Sequence, residues 1–407
     1  MEPHSKKQRI VFVNMHSNVM LVRTMESIAF KKSSAMKHRY ILDSFLANPS
    51  VEICSYINRN GFSYGHGFKT IYPFLSLFRF IEHNFVMKKN KLDTKKVKIL
   101  RNEKEIQSDD IIVLYVKYPY QFDGMERINA FKAVSLIHLE GNYEECSDLL
   151  QKVQPNCIFG ESNFFKFNTR FKNVFKWFDN KKFYLLPFVF EDRFRPSVLF
   201  QQRKNKAISV GTITSYKGEV TQPVRKQIKE NAVELGKYLE CYNEYYKEGS
   251  KPKEVLPTDG FIIRIIKDCY NLSIHDGQQK KYFSFDMVEK FNEFKMCIVG
   301  EERYGIPGIG FVEGMACGCA YIGLNNGLYD QYGLQEGVHY IGYDGTLSDL
   351  KAKIEYWQKA ENQERLESIA RAGREYVRFN FNKQIVATHL LADLLKANHS
   401  QNFKKTE

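Results

Sequence analysis

The stretch GIPGIGFVEGMACGCAYIG, residues 305–323, surrounds one carboxylate, Glu313, with glycines and small residues. It follows the apolar run KMCIVGE (295–301) and ends in the run AYIGL (320–324). Short apolar runs bounded by polar residues or glycine are typical of buried parallel strands. The pattern therefore predicts a strand, a glycine-rich loop, a short helix FVEGMACG (311–318) and a second strand. That order is one unit of an α/β fold.

Runs of the same kind recur along the chain and fall into two series. The first series is RIVFVNM (9–15), VEICSYI (51–57), DIIVLYVKY (110–118), AVSLIHLEG (133–141), NCIFGES (156–162) and KFYLLPF (182–188). The second series is AISVGTI (207–213), GFIIRII (260–266), KMCIVGE (295–301), AYIGL (320–324) and VHYIGY (338–343). The stretches between the runs are long enough for helical crossovers, so each series predicts a doubly wound parallel sheet.

A polar, basic segment near residues 190–205 separates the two series. A chain of 407 residues also exceeds what one core usually supports. We therefore predict an N-terminal α/β domain over residues 1–195 and a C-terminal α/β domain over residues 206–376. A last helix over residues 377–397 is expected to pack back toward the N-terminal domain.

Four further segments have helical patterns. The long charged segment 222–249 predicts one or two surface helices. In DGTLSDLKAKIEYWQKA (344–360), apolar residues recur along one face and Thr346 stands as the N-cap with Asp349 three residues on. The chain then closes with two more helical patterns over residues 363–379 and 383–398.

Charge and cysteine usage narrow the class of protein. Sixty Lys and Arg against 47 Asp and Glu give a formal charge of +13. This charge favours anionic partners, namely nucleotides, phospholipid surfaces or nucleic acid, unless it is simply solvated. The cysteines form no C-x-x-C pair and no zinc-site spacing with histidine, which predicts a reducing compartment and no metal. No signal-peptide core and no transmembrane run is found, so we expect a cytoplasmic protein whose membrane contact is peripheral.

The glycine-rich loop is the first candidate site. Gly308 and Gly310 let the backbone approach a ligand closely, and the first amides of a helix attract anions. The loop therefore predicts a phosphate site, and Glu313 lies in the first helical turn, facing whatever binds. A G-x-G-x-x-G dinucleotide fingerprint is the wrong comparison, because that motif follows an early strand.

The segment EGMACGCAYI (313–322) closely resembles the donor-binding motif of GT-B fold glycosyltransferases, particularly the family 4 type, which often reads E-A-M-A-C-G-x-P-V-I. Three segments resemble the same family in the expected order: ISVGTITSYKG (208–218), LPFVFEDRFRP (186–196) and EGVHYIGYDGTLSDLKAKI (336–354). The resemblance spans roughly residues 160–395, and EGMACG is its specific part. It implies two Rossmann-like domains facing each other across a cleft, the GT-B arrangement.

The resemblance also implies an activity. A sugar would pass from a nucleotide-activated donor to a hydroxyl acceptor, with retention and with neither a metal nor a cofactor, in bacterial cell-surface glycan synthesis. Glu313 would accept hydrogen bonds from both ribose hydroxyls of the nucleotide, while Gly211, Gly308 and Gly310 would line the donor site. The implied partners are the nucleotide sugar and a glycan or lipid-linked acceptor.

The sequence departs from the family pattern in two places. The family usually has two glutamates with seven residues between them, and that spacing puts Gly305 at the first position. Glu302 would take the catalytic, sugar-facing role only if the loop carries three extra residues. The arginine often found after the glycine of VGTITSYKG is Thr212 here. This leaves Lys217 as the catalytic cation for the diphosphate, with Arg303 as a second source of charge.

The first domain supplies the remaining candidates. His138, in SLIHLEGNY, ends a predicted strand, and strand C-termini face the cleft of an open α/β sheet. The family often has a catalytic-site histidine in such a position, and the alternative is a hydrogen-bonded core histidine. Glu140, two residues later, points the same way and is a candidate acceptor-binding group. His16 follows the first strand and is either a second acceptor-binding group or a solvated loop residue.

The aromatic stretch GFSYGHGFKTIYPFLSLFRFIEHNF (61–85) is followed by several lysines. It would dock a lipid-linked acceptor or an acidic membrane surface, or else form a helix of the core.

Two other classes of function fit part of the pattern. A sugar-nucleotide epimerase on the same fold would need an acid and base pair at the sugar and no acceptor. A basic nucleic-acid-binding protein is disfavoured, because the sequence has no basic helix and no aromatic pattern typical of RNA-binding sheets. A DNA-modifying glycosyltransferase would satisfy both patterns.

Overall fold

Two parallel sheets organise the chain in its computed structural model. We call the part built on the first sheet the N-terminal domain and the part built on the second sheet the C-terminal domain. The structure describes residues 7–13, 15, 38–56, 58, 84, 87–88, 90–93, 95–116, 122–136, 139, 143–216, 218–246, 256, 258–267, 270 and 285–404.

The first sheet has the order β3-β2-β1-β4-β5-β6-β7 and its strand pairs are parallel. Its strands are β1 (Gln8–Val13), β2 (Val51–Tyr56), β3 (Val97–Leu100), β4 (Ile111–Tyr115), β5 (Phe131–Ser135), β6 (Cys157–Gly160) and β7 (Phe183–Leu185). Every residue of β4 and of β5 is buried, because helices cover both faces of such a sheet. This burial explains the continuous apolar runs of the sequence.

The second sheet has the order β11-β8-β12-β13-β14 and is also parallel. Its strands are β8 (Lys204–Ile213), β11 (Leu239–Tyr245), β12 (Phe294–Ile298), β13 (Ala320–Leu324) and β14 (Ile341–Tyr343). A small antiparallel hairpin, β9 (Ser215–Tyr216) and β10 (Glu219–Val220), follows the end of β8. The predicted α/β class with two parallel sheets is confirmed.

Helices pack around both sheets. In the N-terminal domain they are α1 (Arg39–Ala47), α2 (Tyr143–Val153), α3 (Phe164–Phe167) and α4 (Thr169–Val174). The C-terminal domain has α5 (Pro223–Glu230), α6 (Ala232–Leu235), α7 (261–267), α8 (Met287–Glu293), α9 (Gly310–Ala316), α10 (Leu347–Gln358) and α11 (Gln363–Asn380). The last helix is α12 (Lys383–Lys404). Among the described helices none is both long enough and apolar enough to cross a membrane.

The predicted cap of α10 is confirmed. The Thr346 Oγ1 atom accepts a hydrogen bond from the Asp349 amide at 3.1 Å, which satisfies one of the unpaired donors of the first turn. Leu350, Ile354 and Trp357 are buried along one face of the helix, as their spacing predicts.

The last helix, α12, packs on the N-terminal domain. Val386, Leu390, Leu391 and Leu394 belong to the same buried apolar cluster as the residues of β1. Near the end of the helix, Asn398 Nδ2 donates a hydrogen bond to Gln8 Oε1 at 3.3 Å.

Two sequence predictions are wrong. The run GFIIRII (260–266) was expected to be a strand, but residues 261–267 form helix α7, in which Ile262 is 71% exposed. Hydrophobic periodicity cannot distinguish a strand from a helix in a short apolar run, so the strand prediction depended on composition alone. Segment 222–249 was expected to be helical, yet its second half contains β11. Seven residues of β11 pair with β8, so tertiary contacts override the weak strand propensity of LECYNEY.

Candidate functional site

The C-terminal sheet opens between β8 and β12. The two strands pair as far as Ser209 and Ile298, after which β8 continues alongside β11 to Ile213. Strand order reverses at this point, since β11 lies on one side of β8 and β12 on the other. In open α/β sheets, ligands bind at such a switch point, outside the carboxyl ends of the strands. The gap beyond Ser209 and Ile298 is therefore the candidate ligand site.

Arg225, on α5, fills the base of this gap. Its Nε atom donates to Val299 O at 2.5 Å and Nη2 donates to Gly300 O at 3.3 Å, both just after β12. Its Nη1 atom donates to Thr212 O at 2.9 Å, near the end of β8. The side chain thus connects the two strands where they separate, and only 7% of the residue is exposed.

Three glycines leave room for this guanidinium. A Cβ atom on Gly211 would lie 2.7 Å from Arg225 Nε, and one on Gly300 would lie 3.2 Å from Arg225 Cγ. A Cβ atom on Gly308 would clash with Arg225 Nη2 and lie 2.7 Å from the Val299 side chain. Gly211 also has a φ of +142°, which disfavours any other residue. We call Arg225 with these three glycines the arginine cradle.

The arginine cradle concentrates positive charge at the switch point. Burial lowers the pKa of Arg225, and the Glu302 carboxylate is the strongest of the groups that act in the opposite direction. A guanidinium remains charged in proteins even so, because its ordinary pKa is above 12. Its three hydrogen bonds use three of five N–H groups, and Nη2 lies against Gly308 of the glycine-rich loop.

Glu313 occupies the first turn of α9. The other six residues of this helix are buried, whereas Glu313 is half-buried. The Glu313 side chain is therefore partly accessible. Gly310, by contrast, faces the sheet, because a Cβ atom there would lie 3.0 Å from the Val299 side chain. The structure thus gives Gly310 a packing role against β12, while Gly211 and Gly308 surround the arginine.

Glu302 and Arg303 lie in a tight turn just after β12. The Arg303 guanidinium pairs with Glu219 at 2.5 Å, and the Arg303 amide donates to Thr221 O at 2.7 Å. Arg303 thus ties the turn to the hairpin β9-β10. Glu302 is half-buried on the side of Arg225, whose pKa its charge raises.

Four predicted site residues lie outside the described residues. These are Lys217, His138, His16 and Glu140. Lys217 follows β9 directly in the chain, and the next residue, Gly218, has a φ of +83°. The aromatic stretch 61–85 likewise falls almost wholly outside the described residues.

Sequence reasoning missed Arg225. In QPVRKQIKE (222–230) it is one of several basic residues, and no motif distinguishes it. One signal was available, because Arg225 stands three residues before Ile228 and next to Val224, on the apolar stripe of the helix. An arginine on the buried face of an amphipathic helix needs partners in the interior.

A second buried ionisable group directly follows Gly300 of the cradle in the chain. Glu301 is 4% exposed, and its Oε1 atom accepts hydrogen bonds from the Leu324 amide at 3.0 Å and from Tyr329 Oη at 2.7 Å. Tyr329 Oη in turn lies 2.5 Å from Tyr321 Oη. Burial raises the pKa of Glu301, which favours the neutral acid. Over the part of the chain that the structure describes, no group of three His, Cys, Asp or Glu could hold a metal ion.

Comparison of the chain with known sequences gives no match. No protein-family profile matches it, and no curated protein matches it.

Comparison with solved structures identifies the fold. HepE from Anabaena, in complex with UDP, has a TM-score of 0.53 at 10% identity over 96% of this chain and 100% of its own. A glycosyltransferase from Rickettsia africae has a TM-score of 0.51 at 13% identity over 96% of this chain and 98% of its own. Sucrose-phosphate synthase from Thermosynechococcus elongatus has a TM-score of 0.50 at 13% identity over 98% and 100%. The chain therefore has the two-domain GT-B fold, as the resemblance implied.

Proposed function

We propose that this protein is a glycosyltransferase that moves a sugar from a nucleotide-activated donor to a hydroxyl acceptor. The observation that carries the proposal is the arginine cradle at the switch point of the C-terminal sheet, with the partly accessible Glu313 in the neighbouring helix. A fixed guanidinium beneath a glycine-rich loop suits a diphosphate, and a carboxylate nearby suits the ribose hydroxyls. Because the chain has the GT-B fold, binding of a nucleotide-activated sugar by Arg225 and Glu313 is the first hypothesis to test.

Each charged residue receives a role in this proposal. Arg225 and Lys217 face the diphosphate. Arg303 holds the hairpin β9-β10, whose two strands flank Lys217 in the sequence. Glu313 accepts hydrogen bonds from the ribose, and Glu302 faces the sugar. Gly211 and Gly308 leave room for the guanidinium between the strands and the loop, where it would meet the diphosphate.

The chemistry follows from where charge develops. When the glycosidic bond to the diphosphate breaks, negative charge grows on the leaving phosphate oxygens. Arg225 is already fixed by three backbone carbonyls, so it would stabilise that charge without reorganising. A permanent cation at this position can neutralise the leaving diphosphate, as a bound metal ion does in other enzymes, so we propose a metal-independent reaction. We also propose that the reaction proceeds with retention. His138 would act at the reacting centre, and Glu140 and His16 would bind the acceptor.

The finer biological role is also part of the proposal. The acceptor would be a glycan or a lipid-linked glycan of a bacterial cell surface, modified in the cytoplasm or at the inner face of the membrane. The formal charge of +13 fits an acidic membrane surface as a partner.

A binding panel tests the donor site. Thermal unfolding is followed with UDP, GDP, CMP, ADP and dTDP at millimolar concentration, and binding is verified by calorimetry. HepE was solved with UDP, which makes UDP the first nucleotide to try. A ligand present at 100 times its Kd stabilises the folded state by about 2.7 kcal/mol, so a real site is easily seen. If no member of the panel shifts the melting temperature and calorimetry agrees, the proposal is wrong.

Product analysis tests the reaction. The protein is incubated with the nucleotide sugar alone and then with candidate glycan or lipid-linked acceptors. Transfer predicts that a glycosylated product appears only with an acceptor. Conversion of the sugar to its epimer without any acceptor would favour the epimerase instead. A duplex DNA that shifts in a salt-dependent manner and becomes glycosylated would identify a DNA-modifying enzyme.

A further inference from the structure

The turn Glu302–Ile306 is held from two sides. It closes on itself through Glu302 N to Ile306 O at 2.8 Å and Gly305 N to Glu302 O at 3.0 Å. On the C-terminal side, Arg303 ties it to the hairpin β9-β10. On the other side it meets the N-terminal domain, through the segment that follows β6.

The N-terminal domain donates hydrogen bonds to two consecutive carbonyls of this turn. Ser162 Oγ donates to Gly305 O at 2.6 Å, and Asn168 Nδ2 donates to Tyr304 O at 3.2 Å. Ser162 is fully buried, and Asn168 is 9% exposed. The Asn168 bond is therefore shielded from water and the Ser162 bond is partly shielded, so that a missing donor leaves a poorly solvated carbonyl without its partner.

The Asn168 side chain is itself held rigidly. Its Oδ1 atom accepts from the Phe171 amide at 2.9 Å and so caps α4, while Nδ2 also donates to Tyr143 Oη at 2.9 Å. Each Nδ2 proton thus has a partner. Its fixed amide sets the position of the Tyr304 carbonyl.

Gly305 shows how close this contact is. Its φ is +73°, and a Cβ atom there would lie 2.9 Å from both Cβ and O of Phe167, in α3. The backbone of the turn is thus seated directly on the backbone of the N-terminal domain. A side chain at position 305 would push the turn away from Phe167 of the N-terminal domain.

We propose that Ser162 and Asn168 are positioning residues for the donor site, so that docking of the N-terminal domain on the turn and nucleotide binding assist each other. The proposal rests on the proposed function. The turn contains Glu302 and leads through Pro307 into Gly308, which lies against Arg225. A displaced turn would therefore displace the carboxylate and the loop at once. Because coupling is reciprocal, a bound nucleotide would in turn stabilise the docked turn.

The first experiment needs no ligand. Hydrogen exchange of the full chain is measured at the amides of Glu302, Arg303 and Gly305, which are all hydrogen-bonded. Ser162→Ala removes one donor, and Asn168→Asp keeps the α4 cap while removing the amide donor. Ser162→Ala is expected to raise exchange at these amides about fivefold to tenfold, as loss of one hydrogen bond implies. Asn168→Asp is expected to raise it at least as much, because it also turns a carboxylate oxygen toward the Tyr304 carbonyl. Unchanged exchange in both variants would overturn the proposal.

The chain offers a matched control. Tyr332 Oη donates to Glu161 O at 2.5 Å, next to Ser162, but this bond does not end on the turn. Tyr332→Phe therefore removes one buried hydrogen bond between the same domains and leaves both donors to the turn, Ser162 and Asn168, in place. If Tyr332→Phe raises exchange of the turn as much as Ser162→Ala does, the effect is general loosening and the positioning role is wrong.

The second experiment measures coupling with UDP as the probe. Calorimetry is expected to give a Kd about fivefold to tenfold weaker for Ser162→Ala and Asn168→Asp, with Tyr332→Phe close to the unmodified protein. UDP should also lower exchange of the turn in the unmodified protein. If UDP binds all four proteins equally, the proposed function stands and the positioning role fails. If UDP binds none of them, the donor site itself is wrong for UDP, and the exchange experiment alone decides whether the turn is positioned as described.

Discussion

The two buried ionisable groups near Gly300, Arg225 and Glu301, have opposite surroundings. Arg225 meets backbone carbonyls, three glycines and the edge of an open gap between strands. Glu301 meets the hydroxyl of Tyr329, a backbone amide and two further buried tyrosines, Tyr321 and Tyr343. Arg225 is kept as a cation at the base of the site. Glu301 is sealed inside and its pKa is raised.

The difference separates a binding feature from a structural one. The backbone around Arg225 is shaped by glycines, which leave room for the guanidinium between the two strands and the loop. The pocket around Glu301 is filled with large aromatic rings and leaves no such approach. A buried charge alone is therefore weak evidence for a site, and the residues that surround it decide its meaning.

The largest effect is expected from Arg225→Met, which breaks the cradle. Three carbonyls lose a charged donor, so the free energy of unfolding should fall by about 3 to 5 kcal/mol. Urea unfolding measures the loss. Arg225→Lys is the control, because it keeps the charge but cannot reach all three carbonyls, and it should retain part of the stability. A loss below about 1 kcal/mol for Arg225→Met would show that the cradle does not hold the strands together.

Glu313→Gln tests whether the carboxylate near the cradle binds the nucleotide. If the carboxylate accepts two ribose hydrogen bonds, nucleotide binding should weaken by about 1.5 to 3 kcal/mol while folding hardly changes. Calorimetry with the nucleotide and with its deoxyribose analogue measures this. The unmodified protein should bind the analogue more weakly, and the variant should scarcely distinguish the two. Equal discrimination by both proteins would place Glu313 away from the ribose.

Gly308→Ala tests the space around the guanidinium. The added Cβ would clash with Arg225 Nη2 and crowd Val299, so we expect a loss of about 1 to 3 kcal/mol in unfolding free energy. Gly260→Ala is the matched control, because a Cβ there meets nothing within 4 Å. If the two variants unfold at the same urea concentration, the loop is not packed on Arg225 as described.

Glu301→Gln gives the smallest effect and is visible mainly as a change with pH. Because the folded pKa is raised, the acid adds stability below its ordinary pKa, and this is lost as pH rises through the folded value. Glutamine keeps the accepting oxygen and does not ionise. As pH rises above the ordinary pKa of about 4.5, the unmodified protein should therefore lose stability relative to the variant.

Unfolding free energies from pH 4 to pH 9 test this, with Glu361→Gln, an exposed position, as the reference. A difference between Glu301→Gln and the unmodified protein that stays flat over this range would mean that Glu301 ionises as freely in the fold as outside it.

The unit around Glu313 was predictable because its information is local. Apolar runs give the strands β12 and β13, and the glycines between them give the loop and the short helix α9. Thr346 and Asp349 define the start of α10 in the same way. The resemblance of EGMACG then led from this unit to the GT-B fold.

What failed or was missed depends on distant contacts. β11 becomes a strand because β8 pairs with it, and LECYNEY shows little of this. Arg225 matters because residues 212, 299 and 300 converge on it from other elements. Likewise, no local pattern reveals that Ser162 meets the Gly305 carbonyl. The roles of His138, Glu140, His16 and Lys217 stay predictions.

The position of α12 has a consequence for how the chain is made. Leu390, Leu391 and Leu394 complete the apolar cluster that contains Ile10 and Phe12 of the first strand. A ribosome releases the strands of the first sheet long before it translates these leucines. The nascent chain must therefore carry an uncovered apolar surface through the whole synthesis of the second sheet. Chaperone contact with that surface during translation is the expected result, and release would follow the emergence of the last helix.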